Sequence, residues 1–304
     1  RLLPQIENKR IFTFEKGRDG LKQILWGLFL KVVVADSCGE FVDQIFGRAD
    51  GMNAPMLLLG AVLFSFQIYG DFAGYSEIAI GSAKLLGIDL MKNFRTPYFS
   101  RDIAEFWRRW HISLSTWFRD YLYIPLGGSR VSKFLNIRNV FLVFVISGFW
   151  HGANWTFIIW GFLHALFYLP LLIGGSNRNS LDNFAQGRLF PRFTDSVRVL
   201  GTFLLVSLAW IFFRAENLTM AFDYISGLSN WSSVKLQWID YRALVLTAIY
   251  ILLMVVIEWI NRNEEFTLQR LPKNMFLRYP IYLFLSLLVV QYFSRGGEFI
   301  YFQF

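Results

Sequence analysis

Three histidines and a set of arginines carry most of the reactive chemistry in an otherwise apolar sequence. His151 stands in SGFWHGANW (147–155), inside residues 140–175, a stretch without Asp, Glu, Lys or Arg. A neutral imidazole in such surroundings can take a proton from a substrate, so His151 fits a general base inside a membrane. Gly148 and Gly152 remove side-chain bulk around it, which lets a substrate or a neighbouring backbone approach the ring. If the stretch is helical, Asn154 shares the face of His151 and can help set the imidazole tautomer. The competing reading is a histidine that hydrogen-bonds between helices.

His111 stands in residues 100–126, SRDIAEFWRRWHISLSTWFRDYLYIPL. The spacing predicts one amphipathic helix, capped by Ser100, with Asp102 in its first turn and Pro125 at its end. Trp107, His111, Leu114 and Phe118 then share a face, and Glu105 can pair with Arg108 or Arg109 across one turn. A helix lying in the membrane interface explains the arginines and tryptophans. It does not explain His111 on the apolar stripe, where an inward-facing ionisable group points to function. His164 would lie about 20 Å from His151 and roughly on the opposite side of a continuous helix, so it reads as structural.

These residues need a membrane to hold them. Hydrophobic residues make up 55% of the 304, aromatics 19% and charged residues 17%, against roughly 25% charged in a soluble domain. That composition excludes disorder, collagen, coiled coil and a small secreted scaffold, and it predicts an all-α polytopic membrane protein. The net charge of +8 sits in loops between apolar runs, which favours contact with membrane lipids and anionic headgroups over nucleic acid. The single cysteine, Cys38, makes no internal disulfide, and three histidines with one cysteine supply no recognised metal spacing.

Six to eight membrane helices are expected within a single membrane domain, residues 1–304. Residues 21–35 hold Lys22 and Lys31 and suggest an interfacial helix or a span with a snorkelling lysine. Residues 54–88 read as two helices meeting near Asp71, with Gly70, Gly74, Gly81 and Ser82 as close-packing positions. Residues 89–138 carry nine Lys/Arg against four acids and so are placed on the cytoplasmic side. Residues 140–175 could reach ~54 Å as one helix, beyond a ~30 Å hydrocarbon core. They must bend or break near Gly148, Gly152 and Asn154, hence a bundle with bent or re-entrant helices. Further apolar runs cover 199–213, 243–257 and 281–293.

Several long motifs resemble the membrane-bound O-acyltransferases. They are YGDFAGYSEIAIGSAKLLGI (69–88), NFRTPYFSRDIAEFWRRWHISLSTWFRDYLYIPLGGSR (93–130), SGFWHGANWTFIIWGFLHA (147–165) and the terminal FIYFQF (299–304). The resemblance runs from LLPQIE at 2–7 to Phe304, in family order. Within the family it is similar to the branch that O-acetylates alginate; the branch that moves D-alanine from a carrier protein shares both histidine motifs. The stretch LGGSR (126–130) tips the likeness toward acetyl. Family members usually carry a further N-terminal block of membrane helices, so the resemblance implies an N-terminally shortened chain.

The resemblance also implies roles. The histidine of the W-H-G motif is the catalytic one, which lands on His151, and the R-W-H-x-S-L histidine is its partner, which lands on His111. Asn154, Trp150 and Trp110 would support them. Acetyl-CoA, or an acyl-carrier thioester, would enter from the cytoplasmic side as a substrate with no bound cofactor. Arg108, Arg109, Arg119 and Arg130 would attract its phosphates. His111 would orient the donor or stabilise the oxyanion. The family further implies a bacterial inner-membrane, multi-pass location and a periplasmic SGNH-type partner that completes O-acetylation of an exported polysaccharide. Two other classes stay open from the residues alone. One is a transporter or export channel lined by Asp71, Glu77 and Lys84, although no inverted repeat supports it; the other is a non-catalytic scaffold.

Overall fold

The computed structural model describes residues 3–7, 9–49, 51–182, 184–232 and 239–293; the FIYFQF segment lies outside them. The described residues are helical and contain no β-strand. The helices are α1 (Leu3–Glu7), α2 (Phe14–Leu28), α3 (Asp36–Phe46), α4 (Ala54–Leu85), α5 (Ile103–Arg109), α6 (Ile112–Phe118), α7 (Lys133–His151), α8 (Trp155–Ile173), α9 (Phe193–Arg214), α10 (Leu218–Gly227), α11 (Tyr241–Asn261) and α12 (Met275–Phe293). Six of them, α4, α7, α8, α9, α11 and α12, are long and apolar enough to cross a membrane. The chain divides into two compact units, residues 1–40, 66–93 and 239–303 in one and residues 41–65 and 94–238 in the other.

In the first unit, α2 starts at Thr13, whose side chain accepts the Lys16 N–H. It then widens into a π-helical stretch, Phe29–Ala35, and runs on into α3. The first unit's part of α4 lies against α2 backbone to backbone. A Cβ at Gly20 would come within 2.7 Å of the Gly81 carbonyl oxygen, and one at Gly27 within 2.6 Å of the Gly74 carbonyl oxygen. Small residues permit this approach, as between membrane helices generally.

Two expectations change here. α4 is one helix through Asp71, not two. Its glycines sit where α2 and the π-helical stretch press in, and the Asp71 charge is neutralised by Lys31 Nζ at 2.6 Å. Lys31 does not snorkel: it is 5% exposed and bonds Asp36 at 2.9 Å as well. Other intramembrane acids are also satisfied within this unit. Gln23 donates to Glu77 at 2.6 Å, and the Tyr69 hydroxyl donates to Glu258 at 2.5 Å.

In the second unit, α7 and α8 form an antiparallel hairpin. The apolar run 140–175 breaks where expected, with Gly152–Asn154 between the two helices. The hairpin closes because Gly148 lies against the Phe157 carbonyl oxygen and Gly161 against the Phe144 carbonyl oxygen, with no room for a Cβ at either place. A methyl at position 148 must push rigid backbone aside. Gly148→Ala is therefore expected to destabilise the protein by about 1–3 kcal/mol, read as a lower midpoint of denaturant unfolding in detergent. An unchanged midpoint would show that the hairpin has slack.

The predicted single helix over 100–126 is broken. α5 ends at Arg109, Trp110 is extended, and His111 adopts a left-handed backbone at φ 43° before α6 begins. Asp102, not Ser100, caps α5: its Oδ1 accepts the Glu105 N–H at 2.7 Å, while Ser100 Oγ donates to the Pro97 carbonyl. Packing overrides helix periodicity here. Trp110 is 2% exposed and fills a pocket of rings, with Phe94 at 5.0 Å, Trp210 at 5.1 Å and Phe106 at 5.4 Å. Burying that indole forces the chain out of the helical path one residue before His111.

Candidate active site around His151 and His111

His151 is the last residue of α7, so the hairpin turn delivers its ring to the end of the bundle formed by α7, α8 and α9. Aromatic edges surround the imidazole. Trp150 lies at 5.0 Å between centroids, Trp160 at 5.2 Å and Phe213 at 5.2 Å. The residue is half-buried. That exposure suits a base that must meet a substrate hydroxyl.

His111 comes to the same place from the break between α5 and α6. Its ring packs on Trp150 at 6.4 Å and stacks on Phe94 at 6.5 Å. Trp150 thus packs on both histidines. Ser113 Oγ is 3.3 Å from His111 Nδ1. The left-handed backbone at a non-glycine residue costs roughly 1–3 kcal/mol, and such strain gathers at functional sites.

Burial pushes His111 down to about 4 from its ordinary 6.5. The ring is therefore neutral near pH 7, able to hydrogen-bond but carrying no charge. The unfolded chain binds a proton at this residue between pH 4 and 6.5, and the folded one does not. Stability supplied by this group is whole above pH 6.5 and falls as pH drops toward 4. Unfolding measured from pH 7.5 to 4.5 is expected to show a steeper loss for the parent than for His111→Gln. Parallel slopes would mean the ring is not desolvated.

The supporting residues divide. Trp150 packs on both histidines, whereas Trp110, next to His111 in sequence, packs on Phe94, Phe106 and Trp210. Asn154 does not set the His151 tautomer. It caps α8 instead, accepting the Thr156 N–H at 3.1 Å, and its Nδ2 donates to the Glu216 carbonyl at 2.8 Å. The expectation rested on one continuous helix, and the break moves Asn154 to a new helix start. His164 also moves. The hairpin folds it back, so Trp160 packs against both His151 and His164, the latter at 5.0 Å.

The four arginines have different surroundings. Arg109 is buried and bonds Glu105 through two nitrogens, at 2.8 and 3.1 Å. Glu105, 1% exposed, also takes Arg101. Arg101 in turn holds Asp182, whose carboxyl lies below the usual carboxylate range because of that hydrogen bond. Arg108 donates to the Asn177 and Ser180 carbonyls. Arg119 pairs with its neighbour Asp120 and is exposed, as is Arg130, which follows a turn in which Gly127 and Gly128 have positive φ. Sequence reasoning did not single out Trp160, Trp210 or Phe213. Only the fold turns them toward a histidine.

Comparison with known proteins bears on the family. Residues 5–173 match the family described as MBOAT, membrane-bound O-acyltransferase. The chain is 38% identical over 250 residues to the probable alginate O-acetylase AlgI of Azotobacter vinelandii, covering 82% of this chain and 48% of that protein. It is 39% identical over 244 residues to the peptidoglycan O-acetyltransferase of Helicobacter pylori, covering 80% and 45%. With the teichoic acid D-alanyltransferase of Bacillus subtilis it shares 36% over 179 residues, covering 53% and 43%. The chain spans about half the length of the curated relatives it matches. From its sequence motifs, its helical fold and these matches, the chain belongs to the membrane-bound O-acyltransferase family.

Proposed function

We propose that the protein is a membrane-embedded acyltransferase that moves an acetyl group from a thioester donor toward O-acetylation of an exported polysaccharide. The observation that carries this reading is the meeting of His151 and His111 at Trp150, in an aromatic chamber at the turn of a membrane hairpin. His151 takes the proton of an acceptor hydroxyl. The hydroxyl oxygen attacks the thioester carbonyl carbon, and the thiol leaves with that proton. His111, held neutral, orients the donor. A positioned base of this kind contributes about 10²- to 10⁴-fold.

The names of the relatives favour acetyl as the group and a cell-surface glycan as its destination. The basic segment 89–138 favours donor entry from the cytoplasmic side, with the exposed Arg119 and Arg130 best placed to meet donor phosphates. The location is then a bacterial inner membrane, and a periplasmic SGNH-type enzyme would pass the group to the polysaccharide. The test is transfer of label from acetyl-CoA by the intact protein in nanodiscs, with the partner enzyme and with D-alanyl carrier protein as competitor. Label from acetyl-CoA that the competitor does not suppress supports the acetyl reading. Transfer from the D-alanyl carrier alone would replace acetyl with D-alanyl on the same residues. Solute flux in liposomes without any acyl transfer would favour an export channel.

A further inference from the structure

Beside His151, α8 carries a stripe of Thr156, Trp160 and His164 at four-residue spacing, and Trp210 of α9 packs on it. Thr156 and His164 are fully buried, and Trp160 and Trp210 are each 1% exposed. Thr156 Oγ1, Trp160 Nε1, His164 Nε2 and Trp210 Nε1 have no hydrogen-bond partner among the described residues. More than about nine in ten buried polar groups are satisfied in folded proteins. Four exceptions on one patch call for a partner that comes from outside the chain. The three rings are in mutual contact, with centroids at 5.0 Å for Trp160 and His164, 5.6 Å for Trp160 and Trp210, and 6.2 Å for His164 and Trp210. His151 touches the first of them.

The polarity of these atoms defines the partner. An indole N–H only donates. Trp107 Nε1 donates to His164 Nδ1 at 3.2 Å, so that nitrogen carries no proton and the ring is neutral with its hydrogen on Nε2. Three unpartnered donors therefore lie on rings in mutual contact, and only Thr156 Oγ can accept. A water molecule would bring two hydrogens to a patch with a single acceptor. A carbonyl oxygen, with lone pairs and no hydrogen, matches the three donors.

We propose that Trp160 Nε1–H, Trp210 Nε1–H and His164 Nε2–H bind the carbonyl oxygen of the transferring acyl group and stabilise the charge it gains in the reaction. The proposal rests on the acyl-transfer reading and gives it an oxyanion site. As the acceptor oxygen bonds to the carbonyl carbon, the C=O π pair moves onto the oxygen held by the three donors. When that pair returns, the C–S bond breaks, and the thiolate takes the proton that His151 removed from the hydroxyl. Trp107 acts through His164: it is a positioning residue that fixes the tautomer. His164 supplies one hydrogen bond and no proton.

The test compares Trp160→Phe, Trp210→Phe, His164→Met and His164→Gln in the intact protein in nanodiscs, measuring kcat, donor KM and unfolding midpoint. Glutamine and methionine are close in length and volume, but only glutamine offers an N–H near Nε2. His164→Met and the two Phe variants are each expected to lower kcat about 10²- to 10³-fold, the loss seen when one oxyanion donor is removed. Donor KM should stay within roughly threefold, since the interaction strengthens in the transition state. His164→Gln should retain kcat within about tenfold of the parent. Should the Phe exchanges unfold the cluster, the Gln and Met pair still decides. Equal kcat in those two, or parent-like kcat in all folded variants, overturns the proposal. Absence of transfer by the parent protein overturns the acyl-transfer reading itself, and this proposal with it.

Discussion

His151→Ala is expected to lower acyl transfer about 10²- to 10⁴-fold, the usual contribution of a positioned base, while the protein still inserts and folds. The fold survives because the α7–α8 hairpin is held by backbone contacts at Gly148 and Gly161, away from the imidazole. The ring itself makes edge contacts to Trp150, Trp160 and Phe213 on a half-open surface, so its loss leaves a dent that solvent or lipid can fill. His151→Gln supplies the control, since it keeps polarity and much of the volume without a basic nitrogen. Both variants should run as the parent does on size exclusion and transfer little label in a single turnover. Parent-level transfer by a folded His151→Ala protein would remove His151 from the chemistry and leave the surrounding rings without a catalytic role.

The largest stability effect is expected at Lys31. This lysine holds two carboxylates, Asp71 at 2.6 Å and Asp36 at 2.9 Å, on a helical stretch packed against α4. Lys31→Met removes the cation from a buried Asp71 and a half-buried Asp36. Removing one partner of a buried ion pair costs about 3–5 kcal/mol, because the remaining charge keeps its desolvation penalty. The double variant Lys31→Met/Asp71→Asn removes the most buried of the stranded charges and should regain much of the loss. Denaturant midpoints of the two variants and the parent give the answer directly. A single variant within roughly 0.5 kcal/mol of the parent, as for an ordinary surface change, would mean water already reaches the cluster.

The membrane helices were legible because hydropathy is local. The runs 199–213, 243–257 and 281–293 are the cores of α9, α11 and α12, and the break near Gly152 follows from length and from the residues Gly148, Gly152 and Asn154. Errors arose where distant groups decide local shape. Asp71 looked like a helix end, since nothing nearby in sequence announces that Lys31, forty positions earlier, neutralises it. The run 103–118 has helical periodicity throughout, yet the pocket for Trp110 outweighs propensity and leaves His111 strained. Asn154 was assigned to a shared face because a continuous helix was assumed across a turn. His111 and His151 stand out by their apolar surroundings, but their partnership comes from the family motifs, since forty residues of separation give no reason to bring them together. His164 was set aside by the same helix geometry that misplaced Asn154.

The Lys31 cluster has a consequence for how the protein enters the bilayer. A lysine or aspartate at the centre of a helix opposes insertion by about 2.5–3.5 kcal/mol on the translocon scale. Neither charge is neutral on its own, and Asp71 leaves the ribosome roughly 2–8 s after Lys31 at 5–20 residues per second. Asp36 on the same stretch offers Lys31 one partner at once, whereas Asp71, inside α4, depends on a lysine made forty residues earlier. The order of synthesis thus places the cation ahead of the acid it neutralises, and α4 enters the bilayer with its counter-charge already made.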